Sequence, residues 1–475
     1  MFLKNIHIEN FRLLIDYDVT LDEELTLFVG KNNAGKTSLM NLIQMVVEGK
    51  MLSFNDYPIQ CRKKVYELLL DFWNEKILFE DLKKQIPVTM IRFCIDYKKE
   101  DEDDYLGGIS PFIIDLDESI EEAIVLVKYA FSMSSDRLKE LKKIYDESVK
   151  VIGFEKDEML SLLDQNSDID LKEDELEKTK NINKELISNI IEEYFGEIFS
   201  LHIIAVNPKD ENNCQEKSKK DLENLFVLCT ISAERSLDEA EKTKERPMSA
   251  IMNRIFKTDV LEMEEEVAEQ GKRLKNFVEK QSLKAENMVN SILSDIVENM
   301  ISFGYPTGED MQLYAKTQFS IKNDIINNTD LTYVTAEHEE ALPSSHNGLG
   351  YKNLIKITLL LKEFSREVKE NAKSAIPLLF LEEPEAHMHP QLQEVFVGHL
   401  KQVLSHFTGN PIQIVMSTHS PHIANTVPFK NIRYLKREID KVVCKNLNEF
   451  YENKNKGEQE HKNNVEFLRK YLTSG

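Results

Sequence analysis

The sequence predicts an α/β protein in which a mixed sheet is combined with a helical insertion lobe. Runs rich in β-branched and aromatic residues recur along the chain and are typical of strands. A glycine-containing loop at 30–37 stands between an apolar run and a helical pattern, and residues 136–195 form a long, charged and mostly helical stretch. The 475 residues leave room for more than one core, because domains typically hold ~100–200 residues each.

The order of the predicted elements follows from these patterns. Residues 58–85 are predicted to be helical, and 257–301 to form a pair of amphipathic helices. The runs 376–381 and 412–417 are continuously apolar, which is typical of parallel strands buried on both faces. Strands are further predicted near 311–336 and at 2–9, 13–21, 25–29, 88–97, 123–131, 199–206 and 225–231.

Composition changes divide the chain into four predicted segments. The part of the main domain that contains the glycine loop is expected in 1–135, and the second part of the same domain in 311–440. Between them, 136–310 is predicted to be a helical arm region with embedded strands near 199–231. Residues 441–475 are polar and are predicted to be a tail.

Bulk properties narrow the class of protein. No apolar run approaches the ~18 residues that predict a membrane span, and the alternating N-terminus does not resemble a signal peptide, so we expect a cytoplasmic protein without membrane partners. The five cysteines are scattered, which argues against a disulfide framework or a zinc knuckle. The net charge of −23 gives no global basic surface for nucleic acid, although a local patch stays compatible with it.

The strongest motif is Gly30-Lys31-Asn32-Asn33-Ala34-Gly35-Lys36-Thr37, which matches G-x-x-x-x-G-K-[ST] between a strand and a helix. In this setting, backbone N–H groups of the loop and the helix N-terminus surround phosphate oxygens. Lys36 would contact the β- and γ-phosphates, and the Thr37 hydroxyl would bind Mg²⁺. The motif therefore predicts an ATP site with a magnesium ion, to which we also assign Ser38.

A second motif, Pro377-Leu378-Leu379-Phe380-Leu381-Glu382-Glu383-Pro384-Glu385, brings two adjacent carboxylates to the end of an apolar strand. Ligands of α/β sheets bind at the carboxyl ends of strands. By the logic of phosphoryl transfer, Glu382 is predicted to hold Mg²⁺ and Glu383 to polarise the attacking water. The alternative is an acidic helix cap.

A third motif, Ile414-Val415-Met416-Ser417-Thr418-His419-Ser420-Pro421, is another buried strand that ends in hydroxyl groups and a histidine. His419 is predicted to contact the γ-phosphate and the lytic water. A fourth, 344–354, is a glycine-containing turn followed by a helix, which can direct backbone amides and the helix dipole toward an anion.

These four motifs in this order resemble the OLD (overcoming lysogenization defect) family of ABC/SMC-like ATPases. The segments GLGYKNL, LEEPEAHMHPQ and STHSPHIAN carry the resemblance, and the ABC signature LSGGQ is absent. The resemblance implies an ABC/SMC-type P-loop ATPase head and a homodimer or higher homo-oligomer, because the fourth motif would complete the ATP site of the opposite subunit. It assigns to the nucleotide site Arg12, in the strand turn Asn10-Phe11-Arg12, together with Ser345, Asn347, Gly348 and Gly350.

The resemblance also bears on partners. In the OLD family, a segment resembling 467–472 leads into a C-terminal TOPRIM nuclease, whereas this sequence ends at Gly475. We therefore expect a separate TOPRIM-type nuclease or other effector protein, as in PARIS-type antiphage defence systems, with DNA or a phage protein as the trigger. Two alternatives stay open: the ATPase domain of an OLD-type TOPRIM DNA endonuclease, and a RecF/SMC-like DNA-repair ATPase.

Two further patterns suggest metal ligands, but each has a simpler interpretation. Glu385, His387 and His389, with His419 and His422 far downstream, resemble a metal cluster, yet the family pattern explains them without metal. His387 and His389 are expected to shape the turn beside Glu383. The D-x-D pairs at 115–117 and 168–170 lack the upstream strand-Glu-Gly element of TOPRIM nucleases, and we expect them to cap turns.

Overall fold

A computed structural model of the chain describes residues 1–31, 34–97, 107–115, 117, 119–162, 185–232, 273, 276–288, 290–291, 332–335, 338–343, 349–371, 375–408 and 411–448. They form two compact units. One holds Met1–Ser232, Ser365–Glu385 and His389–Gly475, and the other holds Ala233–Phe364 and Ala386–Met388. The predicted boundaries near 135, 310 and 440 stay a prediction.

The first unit contains an antiparallel sheet of six strands. Its strand Thr89–Asp96 alternates strictly between buried and half-buried residues, which is the pattern of a sheet with one face on the core. In spatial order they are β2 (Leu14–Thr20), β1 (Phe2–Phe11), β4 (Thr89–Asp96), β5 (Glu122–Phe131), β6 (Phe199–Val206) and β7 (Cys214–Lys217).

A second six-stranded sheet in the same unit is mixed: five strands are parallel and one edge strand is antiparallel. Its central strands are apolar and almost wholly buried, as expected for strands covered on both faces. The α/β mixed-sheet prediction is confirmed. In spatial order the strands are β14 (Val442–Asn446), β13 (Ile432–Arg437), β3 (Leu25–Gly30), β12 (Gln413–Thr418), β11 (Ile376–Glu382) and β8 (Phe226–Ile231).

Two buried polar side chains connect these sheets. Gln413, on β12, accepts a hydrogen bond from Leu3 N (2.9 Å) and donates one to Leu3 O (2.7 Å). Arg433, on β13, donates from Nε to Thr20 O (2.8 Å). Since buried polar groups are tolerated only when hydrogen-bonded, these contacts fix how the sheets meet.

The helices include the long charged helix predicted after residue 136, whereas the predicted 58–85 helix is divided into two. The labelled helices are α1 (Lys36–Val47), α2 (Ile59–Trp73), α3 (Phe79–Gln85), α4 (Ser135–Leu162), α5 (Phe195–Ile198), α6 (Lys219–Glu223), α7 (Leu349–Asn371), α8 (Pro390–Thr408) and α9 (Pro421–Thr426). Residues 185–193 and 276–288 are also helical, and the rest of the predicted 257–301 pair lies largely outside the described residues. No helix of the described residues combines the length and the apolar character that crossing a membrane requires.

The second unit contains a two-stranded antiparallel sheet of β9 (Thr332–Thr335) and β10 (His338–Pro343). It overlaps the end of the strand region predicted near 311–336, most of which lies outside the described residues. Two strands were not predicted near the end of the chain: β13 and β14 pair beside β3, and β14 lies inside the predicted tail 441–475.

Candidate functional site

The glycine loop lies where the sequence predicts it, between the end of β3 and the start of α1. A Cβ on Gly30 would stand 2.6 Å from the Leu435 backbone oxygen, so only glycine fits there without a shift. Gly35 has φ 86°, a left-handed conformation that glycine adopts without steric cost. Asn32 and Asn33 lie outside the described residues.

Lys36 is folded back over this loop and is only 4% exposed. Its Nζ donates to Gly30 O at 2.9 Å and to Lys31 O at 3.3 Å. Burial lowers the pKa of the Lys36 ammonium from its ordinary value, while three nearby carboxylates act in the opposite direction. The ammonium is therefore held at the loop, beside the position where the motif places phosphate.

The acidic strand β11 ends beside this loop. Thr37 Oγ1 donates a hydrogen bond to Glu382 Oε1, so the two side chains that the sequence assigns to Mg²⁺ contact each other. Hydroxyl and carboxylate oxygens are the hard ligands that Mg²⁺ prefers. The donor set therefore fits a magnesium ion.

Glu383 follows at a strained turn. Its φ is 45°, which is uncommon for a residue with a side chain and typical of functional sites. Its backbone N–H donates to Ser417 O at 3.0 Å, continuing the pairing between β11 and β12. This turn directs the Glu383 carboxylate toward the loop that follows β12.

His419 completes a three-way contact. Its Nε2 lies 2.9 Å from Lys36 Nζ and 3.1 Å from Glu383 Oε1. The three residues follow β3, β11 and β12, whose parallel pairing brings their carboxyl ends to one edge of the sheet. The structure therefore joins the predicted phosphate-binding, base and histidine side chains into one cluster.

Glu385 is a residue of this site to which sequence analysis gave no role beyond shaping a turn. Its Oε1 accepts hydrogen bonds from Thr418 Oγ1 and His419 N, each at 2.7 Å. The sequence feature that could have indicated this role is the third carboxylate of the LEEPE segment, but sequence alone does not show which strand end that carboxylate faces.

The predicted signature segment is described only from α7 onward; Ser345, Asn347 and Gly348 lie outside the described residues. A Cβ on Gly350 would stand 2.3 Å from the His387 backbone oxygen, so the close approach of two backbone segments requires glycine. Asn353 Nδ2 also donates to Ala386 O at 3.1 Å. The contact of this segment with a second subunit stays a prediction.

Arg12 makes a different contact from the predicted one. Its Nε donates to Asp56 Oδ1 at 2.9 Å, its Nη2 lies 2.8 Å from the same oxygen, and its backbone has φ 50°. The pair anchors the β1–β2 turn to the short helical turn Phe54–Asp56. A nucleotide role for Arg12 stays a prediction, as does that of Ser38, which lies on the first turn of α1.

The alternative acidic motifs have structural partners. Asp115 Oδ1 accepts from Asp117 N at 3.0 Å, and a hydrogen bond from Lys209 holds the pKa of Asp117 well below its usual range. Within the described residues, no group of three or more His, Cys, Asp and Glu side chains lies together in a way that could hold a metal. The pair at 168–170 lies outside them.

The two cavities of note are not at this cluster. Volumes of about 390 and 430 Å³ lie beside β8, and Glu223 and Phe226 line both. Neither cavity is lined by a residue of the glycine loop, the acidic strand or the histidine strand. The site is therefore identified by the contacts among Lys36, Glu383 and His419 and not by a cavity.

Comparison with protein families gives a match to the AAA ATPase domain over residues 1–424. The chain is 24% identical to the endonuclease GajA of Bacillus cereus (strain HuB5-5), covering 99% of this chain and 66% of that protein. It is 31% identical to an OLD nuclease of Thermus scotoductus over 22% of this chain and 18% of that protein. The chain thus spans less than two thirds of the length of either relative.

Among solved structures, the chain is similar to an SMC head domain from Thermotoga maritima, with 9% identity and a TM-score of 0.35. It is also similar to an SmcHead bound to the C-winged helix domain of ScpA, with 10% identity and a TM-score of 0.40. Each alignment covers 94% of this chain and 99% of the other.

Proposed function

This chain belongs to the AAA ATPase domain family, and from that premise we propose that it hydrolyses ATP to control a nuclease or toxin effector in bacterial antiphage defence. Its similarity to GajA and to an OLD nuclease agrees with the family resemblance of its motifs. The observation that carries the ATPase assignment is the contact of Lys36, Glu383 and His419 at one edge of the sheet.

Nucleotide binding begins at the 30–37 loop. The backbone N–H groups of the loop and the N-terminus of α1 attract phosphate oxygens, and Lys36 exchanges its backbone carbonyl partners for the β- and γ-phosphates. Thr37 and Glu382 are the residues that would hold Mg²⁺, which when bound neutralises charge on the phosphate oxygens. The burial of Lys36 strengthens its interaction with an anion, since the surrounding dielectric is lower than in water.

Hydrolysis requires a base beside the γ-phosphate. Glu383 is the carboxylate placed to accept a proton from the attacking water, because it lies next to both Lys36 and His419. His419 orients that water and donates to the γ-phosphate once Lys36 has moved to the nucleotide. The turn at Glu383 fixes this carboxylate before substrate arrives, which avoids reorganisation during the reaction.

The complete enzyme is a homodimer or larger homo-oligomer in this proposal. The segment containing Ser345, Asn347, Gly348 and Gly350 would contact the ATP bound to the opposite subunit. The net charge of −23 supports a protein effector over DNA as the main partner, because nucleic-acid binding usually relies on a basic surface. The effector would be a separate TOPRIM-type nuclease, with DNA or a phage protein as trigger.

A second candidate is the ATPase portion of an OLD-type DNA endonuclease. The observation that favours it is the 24% identity to an endonuclease across 99% of this chain, which spans 66% of that protein. In this case ATP binding would control cleavage of DNA within one polypeptide.

Phosphate release from ATP tests the ATPase assignment. We expect Lys36→Ala to lose nucleotide binding, and Glu383→Gln to keep binding while losing turnover. Glu211→Gln is the matched control, since Glu211 pairs with Arg92 on the other sheet. Glu383→Gln with the turnover of the unaltered protein would show that Glu383 is not the base.

Co-expression tests the partner. The chain is co-expressed and purified with a candidate TOPRIM-type nuclease, and phage plating is measured with and without Lys36→Ala. Stable co-elution and protection that requires Lys36 support effector control. Tight binding of the chain to a labelled DNA duplex without co-elution would instead support the endonuclease candidate.

A further inference from the structure

The turn after β11 carries a third carboxylate for which the proposed mechanism has no use. Glu385 reaches the segment that follows β12, where its Oε1 accepts one hydrogen bond from Thr418 Oγ1 and one from His419 N, both at 2.7 Å. Hydrogen bonds to an ionised acceptor are roughly twice as strong as neutral ones. One oxygen atom therefore holds two consecutive residues of the histidine loop.

The Thr418 hydroxyl extends this arrangement. Thr418 is fully buried, and its Oγ1 accepts from Ser420 N at 2.9 Å. A hydroxyl has a single hydrogen, so that of Thr418 is committed to Glu385 while its lone pair serves Ser420. Ser420 in turn caps α9, where its Oγ accepts from His422 N at 3.1 Å. The backbone on both sides of His419 is thus fixed.

The His419 side chain lies at the other end of the same residue. Its amide N–H is held by Glu385, and its Nε2 lies 2.9 Å from Lys36 Nζ and 3.1 Å from Glu383 Oε1. The imidazole is about one third exposed, with 32% of the side chain open to solvent, so packing alone does not immobilise it. Its position therefore depends on the backbone that Glu385 holds.

We propose that Glu385 is a positioning residue that fixes the backbone of His419, so that the imidazole stays against Glu383 when Lys36 moves to the nucleotide. This inference rests on the proposed ATP hydrolysis. Glu385 acts through His419 and needs no contact with nucleotide. Its Oε2 is buried and has no hydrogen-bond partner among the described residues, so Oε1 makes both contacts to the histidine loop.

An electrostatic role is the competing explanation, because the Glu385 charge also acts on Lys36. The variant Glu385→Gln distinguishes the positioning role from the electrostatic role, since glutamine keeps an acceptor at the Oε1 position and removes the charge. If Glu385 positions His419, Glu385→Gln retains most of the activity that Glu385→Ala loses. If the charge matters, the two variants lose activity equally.

The experiment measures phosphate release, affinity for a fluorescent ATP analogue and thermal stability for the full chain. Displacing a catalytic group by about 1 Å can cost on the order of 100-fold in rate. We expect such a loss of kcat in Glu385→Ala, with little change in analogue affinity. Thr418→Val should lose activity in the same direction, whereas Thr418→Ser, which keeps the hydroxyl, should not.

A double variant tests whether Glu385 acts through His419. Residues that act as one unit are not additive, so adding Glu385→Ala to His419→Ala should cause no further loss of kcat. A purely structural weakening would lower activity in both backgrounds by the same factor. Full additivity would overturn the proposal, as would equal losses in Glu385→Ala and Glu385→Gln.

Hydrogen exchange gives a readout that does not need turnover. The His419 amide donates to Glu385 in the nucleotide-free protein, so it should exchange faster in Glu385→Ala and stay protected in Glu385→Gln. Unchanged exchange in Glu385→Ala would refute the positioning role. Failure of ATP hydrolysis itself would appear differently, as equal phosphate release by the unaltered chain and Lys36→Ala.

Discussion

Replacing Arg433 with methionine should destabilise the unit that carries the nucleotide loop. Only 1% of the Arg433 side chain is exposed. Its Nε and Nη1 donate to Thr20 O and Lys430 O, both at 2.8 Å, and its Nη2 lies 2.9 Å from Asp22 Oδ1. Methionine fills a similar volume but leaves the acceptors and the carboxylate without their donor.

The expected loss follows from the burial of Arg433 and the partial burial of Asp22. Removing one member of a buried ion pair costs about 3–5 kcal/mol, because the other charge loses its compensation. Asp22 keeps 25% exposure, so solvent relieves part of this cost. We therefore expect about 3 kcal/mol, the lower end of that range. That is a large share of the ~5–15 kcal/mol that stabilises a typical domain.

Urea unfolding followed by Trp73 fluorescence measures this loss. Trp73 is the single tryptophan of the chain, is 4% exposed, and donates from Nε1 to Leu138 O at 3.0 Å. It shares no recorded contact with Arg433, so it reports on cooperative unfolding of their common unit.

Two variants serve as controls for Arg433→Met. Arg433→Lys keeps the charge but loses the planar fork, so an intermediate loss is expected. Arg437→Met changes an exposed arginine on the same strand and should stay within about 0.5 kcal/mol. A free energy of unfolding lowered by less than about 1 kcal/mol in Arg433→Met would refute the reasoning.

Four further outcomes are expected. Gly30→Ala should weaken binding of an ATP analogue by about fivefold or more, since overpacking of the nucleotide loop costs about 1–3 kcal/mol. Gly196→Ala, which has open space around it, should not weaken binding, and equal affinities of the two variants would contradict this prediction. Glu383→Gln should accumulate an ATP-dependent dimer in light scattering, and a monomer at saturating ATP would count against the shared site. Chelation of Mg²⁺ should weaken ATP binding measured by calorimetry, and unchanged affinity would exclude a metal contribution. Burial raises the pKa of the Cys94 thiol to about 11, so this thiol is almost wholly protonated at pH 8. Iodoacetamide should therefore modify the exposed Cys214 before Cys94, as measured by peptide mass mapping. Faster labelling of Cys94 would contradict its burial.

The strands that carry the site could be predicted because their sequences are unambiguous. The runs before Glu382 and Thr418 are mainly apolar and do not alternate with polar residues as a half-exposed strand does, and both are buried parallel strands in the structure. The glycine loop is likewise found between a strand and a helix. The side chains predicted for phosphate, magnesium and base follow these strands directly, so correct strand ends were sufficient to bring them together.

Other features depended on contacts between distant segments. The segments of β13 and β14 contain several polar residues. Their alternation of apolar and polar residues is too short to distinguish a strand from a turn. Both are nevertheless strands of the sheet that contains β3. The partner of Arg12 is Asp56, 44 residues away, and no local pattern indicates that choice. The Glu385 contact depends on β12 lying next to β11, which sequence order alone does not determine.

The charge of the site has a consequence for how nucleotide binds. Three carboxylates, Glu382, Glu383 and Glu385, act electrostatically on Lys36, the ammonium at their centre. They favour the charged form of Lys36, which burial disfavours. Because three carboxylates outweigh one ammonium, the cluster is negative overall and repels a polyphosphate. A divalent cation beside Thr37 and Glu382 would reverse that balance. These carboxylates, of which Glu383 would activate water, therefore make binding of ATP depend on the metal it brings, which is why chelation should weaken nucleotide affinity and not only stop turnover.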